Sequence, residues 1–176
     1  MATYIGFLRA INLGPTRKFP KADIVAATEA AGFGEVATYI NTGNVRFETT
    51  MRSRARIEAA LEAAYLADRG FEVPTIVFTP DEIRAIVDEA EEVRGDHPGT
   101  HYVSLLKEEP SAALARQLEA LSTDTDLARV RGRAVHLLIT DPYHQGRLGN
   151  ATVEKELGVA TNRNLKVLRA IVEKWC

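Results

Sequence analysis

Twice along the chain, a short apolar run leads into a helix-period stretch, then two strands about a tight turn, then a second helix-period stretch. In the first pass, Tyr4 to Ala10 is a short apolar run that reads as a buried strand, and Gly14-Pro15 breaks it. Pro20 opens a helical stripe of Ile24, Ala27 and Ala31, and Gly32 stops it. Val36 to Ile40 and Asn44 to Glu48 flank the turn Asn41-Thr42-Gly43 and read as a hairpin. Ser53 caps a helix whose inner face is Ile57, Ala60, Leu61 and Ala64, and Gly70 ends it. Val73 to Phe78 completes β-α-β-β-α-β, the ferredoxin-like order.

The second pass is similar in pattern. Tyr102 to Leu106 reads as a strand, and Leu114, Leu118 and Leu121 mark a helix. Leu127 to Arg131 and Ala134 to Ile139 flank Gly132, a second hairpin. A loop rich in turn residues, Asp141 to Asn150, leads to a short helix ending at Leu157. The spacing then predicts a final helix from about Asn162, with Leu165, Leu168, Val172 and Trp175 facing inward. The expected fold class is α+β, two ferredoxin-like (βαββαβ-type) repeats packed as one unit. The divisions are a first repeat over 1–79, an acidic helix and linker over 80–100, and a second repeat with C-terminal helices over 101–176. Thr79-Pro80-Asp81-Glu82 is a capping box at the start of that acidic helix. Asp81 to Asp96 holds seven acids against two arginines, the composition of a solvated helix face.

The chain has 176 residues, a net charge of −2 and a pI of about 6.1, unlike the basic balance of a dedicated duplex-DNA binder. Its one cysteine, Cys176, allows neither an internal disulfide nor a cysteine zinc site, so a reducing, cytoplasmic setting is expected. No run approaches the length of a membrane helix. The four histidines show no metal-ligand spacing, and no GxSxG elbow, P-loop or GxGxxG is present. Neither a metal nor a cofactor is expected. Among the histidines, His144 in the 141–150 loop is the least poor candidate proton carrier.

Charge is distributed unevenly. Arg9, Arg17, Lys18 and Lys21 precede the first acid, Asp23. In a β-α-β-β-α-β unit the crossover helix makes the first two strands run the same way. The loop after the first strand and the hairpin after the second then share one end. Arg9, Asn12, Arg17 and Lys18 should therefore lie near Asn41 and Asn44, a rim suited to an anion. Turn chemistry accounts for Asn41, Gly43 and Asn44 equally well, but not for the bases. Thr161 is a candidate helix cap. Arg163 and Asn164 would then fall in a first turn, where an arginine opposes the helix dipole. Arg163 would need either a carboxylate partner or an anionic ligand.

FLRAINLG and TYINTGNVRF near the start, and EKELGVATNRNLKVL near the end, closely resemble the bacterial "domain of unknown function 1697" family. The resemblance spans nearly the whole chain and implies two ferredoxin-like repeats, with no established activity. It places Arg9, Asn12, Gly14, Asn41, Gly43, Asn44, Thr161, Arg163 and Asn164 on motif positions. Ala10 stands where the family usually has glycine, and Pro15 and Thr16 replace a Gly-x-Asn-like turn. Leu165 and Lys166 stand where tryptophan and threonine are common.

The functional expectation is a phosphate-bearing or other anionic ligand, a nucleotide or single-stranded nucleic acid, on the polar rim of the first repeat. Arg163 and Asn164 join the candidate ligand-binding set. Two alternatives stay open. One is an enzyme acting on an anionic small molecule with an unidentified proton carrier. The other is a protein-interaction scaffold, including a homodimer in which the acidic helix meets the basic rim.

Overall fold

A computed structural model describes residues 1–140 and 148–176. The loop segment 141–147, with His144, lies outside the described residues. The chain divides into two units, Met1–Pro80 with Trp175, and Asp81–Lys174 with Cys176.

The first unit runs β1 (Ala2–Leu8), α1 (Lys21–Ala30), β2 (Gly34–Thr38), β3 (Asn44–Thr49), α2 (Arg54–Arg69) and β4 (Thr75–Phe78). Its four strands form an antiparallel sheet in the order β2-β3-β1-β4. The helix boundaries follow local chemistry. The Ser53 hydroxyl accepts from the Arg56 N–H, and Gly70 ends α2 in the left-handed conformation at φ 79°. One face of the sheet packs on α1 and α2 through Leu8, Val45, Phe47 and Val77 from the strands, with Ile24, Ile57 and Leu61 from the helices. Phe19 meets Tyr65 edge-on at 5.2 Å, and Phe33 meets Phe47 at 4.9 Å. The buried Tyr65 hydroxyl shares a 2.8 Å hydrogen bond with Thr28 Oγ1, which satisfies its polar end.

β4 is an edge strand, and α2 blocks its open side. Glu58 Oε2 accepts from the Val77 N–H at 3.0 Å, and Glu62 Oε1 accepts from the Thr75 N–H at 3.0 Å. The two acids are one helical turn apart and the two amides two residues apart on the strand, so the helix and strand periods match. An edge closed this way is poorly suited to pairing with another chain.

The second unit runs α3 (Pro80–Arg94), β5 (Thr100–Leu106), α4 (Ala112–Glu119), β6 (Leu127–Arg131), β7 (Ala134–Ile139), α5 (Asn150–Leu157), β8 (Ala160–Asn164) and α6 (Leu165–Trp175). Its sheet has the order β6-β7-β5-β8, again antiparallel. The core cluster here joins Leu106, Val135 and Leu137 to Leu118 of α4 and Val153 of α5. The hairpin turns on Gly132 at φ 57°. The edge strand β8 is blocked as β4 is: Glu154 of α5 accepts from the Ala160 N–H at 3.1 Å.

Two sequence expectations are corrected here. The stretch 160–164 is a strand paired with β5, not the start of the final helix, so the second unit also contains β-α-β-β-α-β. Thr161 is therefore not a helix cap. Asn164 caps α6, its Oδ1 accepting from the Lys166 N–H at 2.9 Å. The inward stripe of α6 is Leu165, Leu168 and Ile171, whereas Val172 and Trp175 are only half-buried.

The strand ends match across the units. The Leu8 N–H donates to the Gly43 carbonyl and the Leu106 N–H to the Arg133 carbonyl, each at 2.8 Å. The next residues, Arg9 and Lys107, donate to Pro74 and Val159 at 2.9 and 3.0 Å. What differs is the connection that follows. It occupies residues 9–20 in the first unit and only 107–111 in the second.

Candidate functional site

That longer connection wraps around Asn12. The Asn12 Oδ1 accepts from the Phe19 N–H at 2.8 Å, and its Nδ2 donates to the Phe19 carbonyl at 3.1 Å. The same Nδ2 donates to the Asn41 carbonyl at 2.6 Å, tying the loop to the β2–β3 turn. The Asn12 N–H also closes a turn onto the Arg17 carbonyl at 2.7 Å. The Asn12 backbone is left-handed at φ 55°, a conformation asparagine tolerates better than most residues. Ala10 and Ile40, at φ 56° and 52°, take the same conformation without that advantage. The glycine usual at position 10 in the family the sequence resembles would sit there unstrained.

Arg17 braces the loop. Its Nε donates to the Ala10 carbonyl and a terminal nitrogen to the Glu72 carbonyl, both at 2.6 Å. Its guanidinium lies 4.6 Å from the centre of the Phe71 ring. Asn44 is fully buried, and its Nδ2 donates to the Tyr39 carbonyl and to Thr42 Oγ1, each at 2.9 Å. These two members of the sequence-derived rim are occupied in holding turns. Arg9 is half-buried at the end of β1.

The remaining members converge. Lys18 and Asn41, with Asn12, Gly14, Pro20 and Lys21, line an open cleft of about 430 Å³. The side chains of Lys18, Lys21 and Asn41 have no partner among the described residues. The cleft abuts the first turn of α1, where Pro20 is the N-cap and no side chain caps the helix. Unsatisfied N–H groups there favour negative charge. The acid nearest in sequence, Asp23, is engaged by Arg69 at 3.3 Å. Lys21 was visible as a base in the sequence, but only the fold places it in the lining.

Arg163 and Asn164 belong to the second unit. The buried Arg163 donates to Thr161 Oγ1 and to the Asn162 carbonyl, each at 2.8 Å. Burial lowers its pKa to about 10, so it stays charged at neutral pH. Asn164 is the cap of α6.

A second cluster went unnoticed in the sequence. His101 of β5 and His136 of β7 are buried on one sheet face, with Nε2 of the first and Nδ1 of the second sharing a 2.8 Å hydrogen bond. Their outer nitrogens, His101 Nδ1 and His136 Nε2, are buried without a hydrogen-bond partner. Glu89 lies 3.9 Å from the latter. Burial is the main cause that pushes both imidazoles down to about 4, so both are neutral at pH 7. The available signal was period-two alternation on two strands, which does not by itself say that the residues meet. Among the described residues, no group of three or more His, Cys, Asp or Glu could hold a metal ion. No helix among them is long and apolar enough to cross a membrane.

A family model described as "Protein of unknown function (DUF1697)" matches residues 1–136. No curated protein matches the chain. The solved structure of the conserved bacterial protein SP0830 from Streptococcus pneumoniae aligns over 97% of each chain, with a TM-score of 0.78 and 18% identity. At that identity the likeness concerns the fold.

Proposed function

This chain belongs to the DUF1697 family of proteins of unknown function, and we propose that its first unit captures a phosphate-bearing ligand, a nucleotide or the backbone of a single-stranded nucleic acid. The observation that carries the reading is the cleft between the β1–α1 loop and the β2–β3 turn. Lys18 and Lys21 reach it with no acid to neutralise them, at the uncapped start of α1. Two ammonium groups and free backbone N–H groups suit a compact, multiply charged anion better than a carboxylate, which is served by the fork of an arginine. Asn41 adds an amide donor, and Asn12 sets the spacing between the two walls.

The two units are read as ferredoxin-like repeats, on the strength of their common strand order and matched strand-end hydrogen bonds. In that reading the first repeat gained its site by lengthening one connection. Binding is favoured over catalysis because the described residues lining the cleft include no carboxylate and no imidazole to carry a proton.

The test is calorimetric titration of the full chain with pyrophosphate, ATP and an oligothymidylate at low and moderate salt. Binding should disappear in the double variant Lys18→Ala, Lys21→Ala while thermal stability without ligand is unchanged. A strand ligand should weaken steeply with salt. Undiminished binding in the double variant, or no binding by any of the three probes, sinks the reading.

A further inference from the structure

The second unit holds a cleft of its own, of about 270 Å³. Leu137, Ile139 and Leu148 supply an apolar wall, and Tyr102, Asn150 and Asn162 the polar residues. Among the described residues, no charged side chain lines it.

The polar residues are held in place from beneath. Ser104 is fully buried, and its hydroxyl donates to Asn150 Oδ1 at 3.0 Å. The same hydroxyl accepts from Asn162 Nδ2 at 3.1 Å. Asn150 Nδ2 in turn donates to the Ala160 carbonyl at 2.9 Å. One hydroxyl thus sets the direction of both amides. The side-chain oxygen Oδ1 of Asn162 and the Tyr102 hydroxyl are left without a partner among the described residues.

The geometry points to a second binding site, for an uncharged planar ring that carries neighbouring hydrogen-bond donor and acceptor atoms on one edge. That is the chemistry of a nucleobase or of a simple lactam. A charged ligand would lose its hydration here with no countercharge among the described lining residues. The apolar wall suits a ring face. An oriented asparagine with a tyrosine hydroxyl suits an edge that both gives and accepts hydrogen bonds. The inference stands apart from the phosphate cleft, which involves other residues in the other unit.

The experiment is a side-chain amide and aromatic NMR titration of the full chain with adenosine, uridine and 2-pyridone, with inorganic phosphate as control. The rings should shift the Asn162 amide and Tyr102 signals, and phosphate should not. Tyr102→Phe, which removes one oxygen and leaves the ring packed, should weaken binding several-fold. Asn162→Ala should weaken it at least tenfold. Nucleosides binding without 2-pyridone assigns the site to nucleobases, and 2-pyridone binding without nucleosides assigns it to free lactams. If no ring moves these signals, or if affinity is unchanged in both variants, the site does not exist.

Discussion

The side-chain amide of Asn12 donates to the backbone carbonyl of Asn41 at 2.6 Å, and so one residue of the β1–α1 loop fixes the position of the β2–β3 turn. The contact joins residues 29 positions apart. It makes the two walls of the Lys18–Lys21 cleft one rigid frame, with the remaining Asn12 bonds holding the loop to Phe19. Replacing Asn12 with alanine removes all three side-chain bonds and leaves an alanine in the left-handed region. At about 1 kcal/mol for each bond, with the cost of the left-handed alanine added, Asn12→Ala should lower unfolding stability by more than about 3 kcal/mol. Asn12→Gly loses the same bonds without the backbone strain and should cost less. Urea denaturation of the two variants checks the order, and equal costs would remove the strain from the account.

Gly43 and Gly14 separate crowding from backbone conformation. Both are left-handed, at φ 90° and 96°. A Cβ on Gly43 would fall 2.8 Å from Leu8 Cβ and 2.9 Å from Ile11 Cδ1, whereas one on Gly14 would meet nothing within 4 Å. Gly14→Ala should cost about 1–2 kcal/mol, the conformational penalty alone. Gly43→Ala carries that penalty and an overpacking cost of about 1–3 kcal/mol besides. Thermal melts that rank Gly14→Ala as the more damaging change would contradict the packing described here.

The histidine pair makes stability depend on acid. Both imidazoles titrate near 4 in the folded chain and near 6.5 when unfolded, so the unfolded state binds more protons between those values. Their contribution is complete above about pH 6.5 and is lost as pH falls toward 4. Each histidine can account for up to about 3 kcal/mol at the bottom of that window. The charges facing the pair are Glu89, Glu91 and Arg94 of α3, Arg169 of α6, Arg131 of β6 and His97. The stability of the double variant His101→Leu, His136→Leu should be flatter between pH 6.5 and 4.5 than that of the parent chain. Parallel profiles would mean that other groups carry the acid sensitivity.

The readable parts of the fold were those governed by neighbours in sequence. The Ser53 cap, the Gly70 stop and the Gly132 hairpin depend on backbone preferences within a few residues, and all appear where the patterning puts them. The stretch 160–164 misled because a short polar segment, Thr-Asn-Arg-Asn, before an amphipathic run looks like a helix start. As a strand, it draws its backbone bonds from β5, nearly sixty residues away. The candidate site was legible as a region, since crossover geometry puts the two connections at one end. Its composition was not. Arg17 carries the same charge as Lys18 and Asn44 the same amide as Asn41, and nothing local says that carbonyls of Ala10, Glu72 and Tyr39 occupy the first of each pair.

The sequence by itself determined the order of helices and strands outside the stretch 160–164, the glycine turns and the concentration of bases before Asp23, because periodicity, capping and φ preferences act over one or two turns of chain. Only the tertiary structure decided which polar groups are consumed and which stay free. A hydrogen bond forms where folding brings a donor to about 3 Å from an acceptor, and those acceptors belong to distant segments. The same holds for the histidines. Each is an ordinary strand residue until β5 and β7 pair and leave two imidazoles sharing one hydrogen bond in the core.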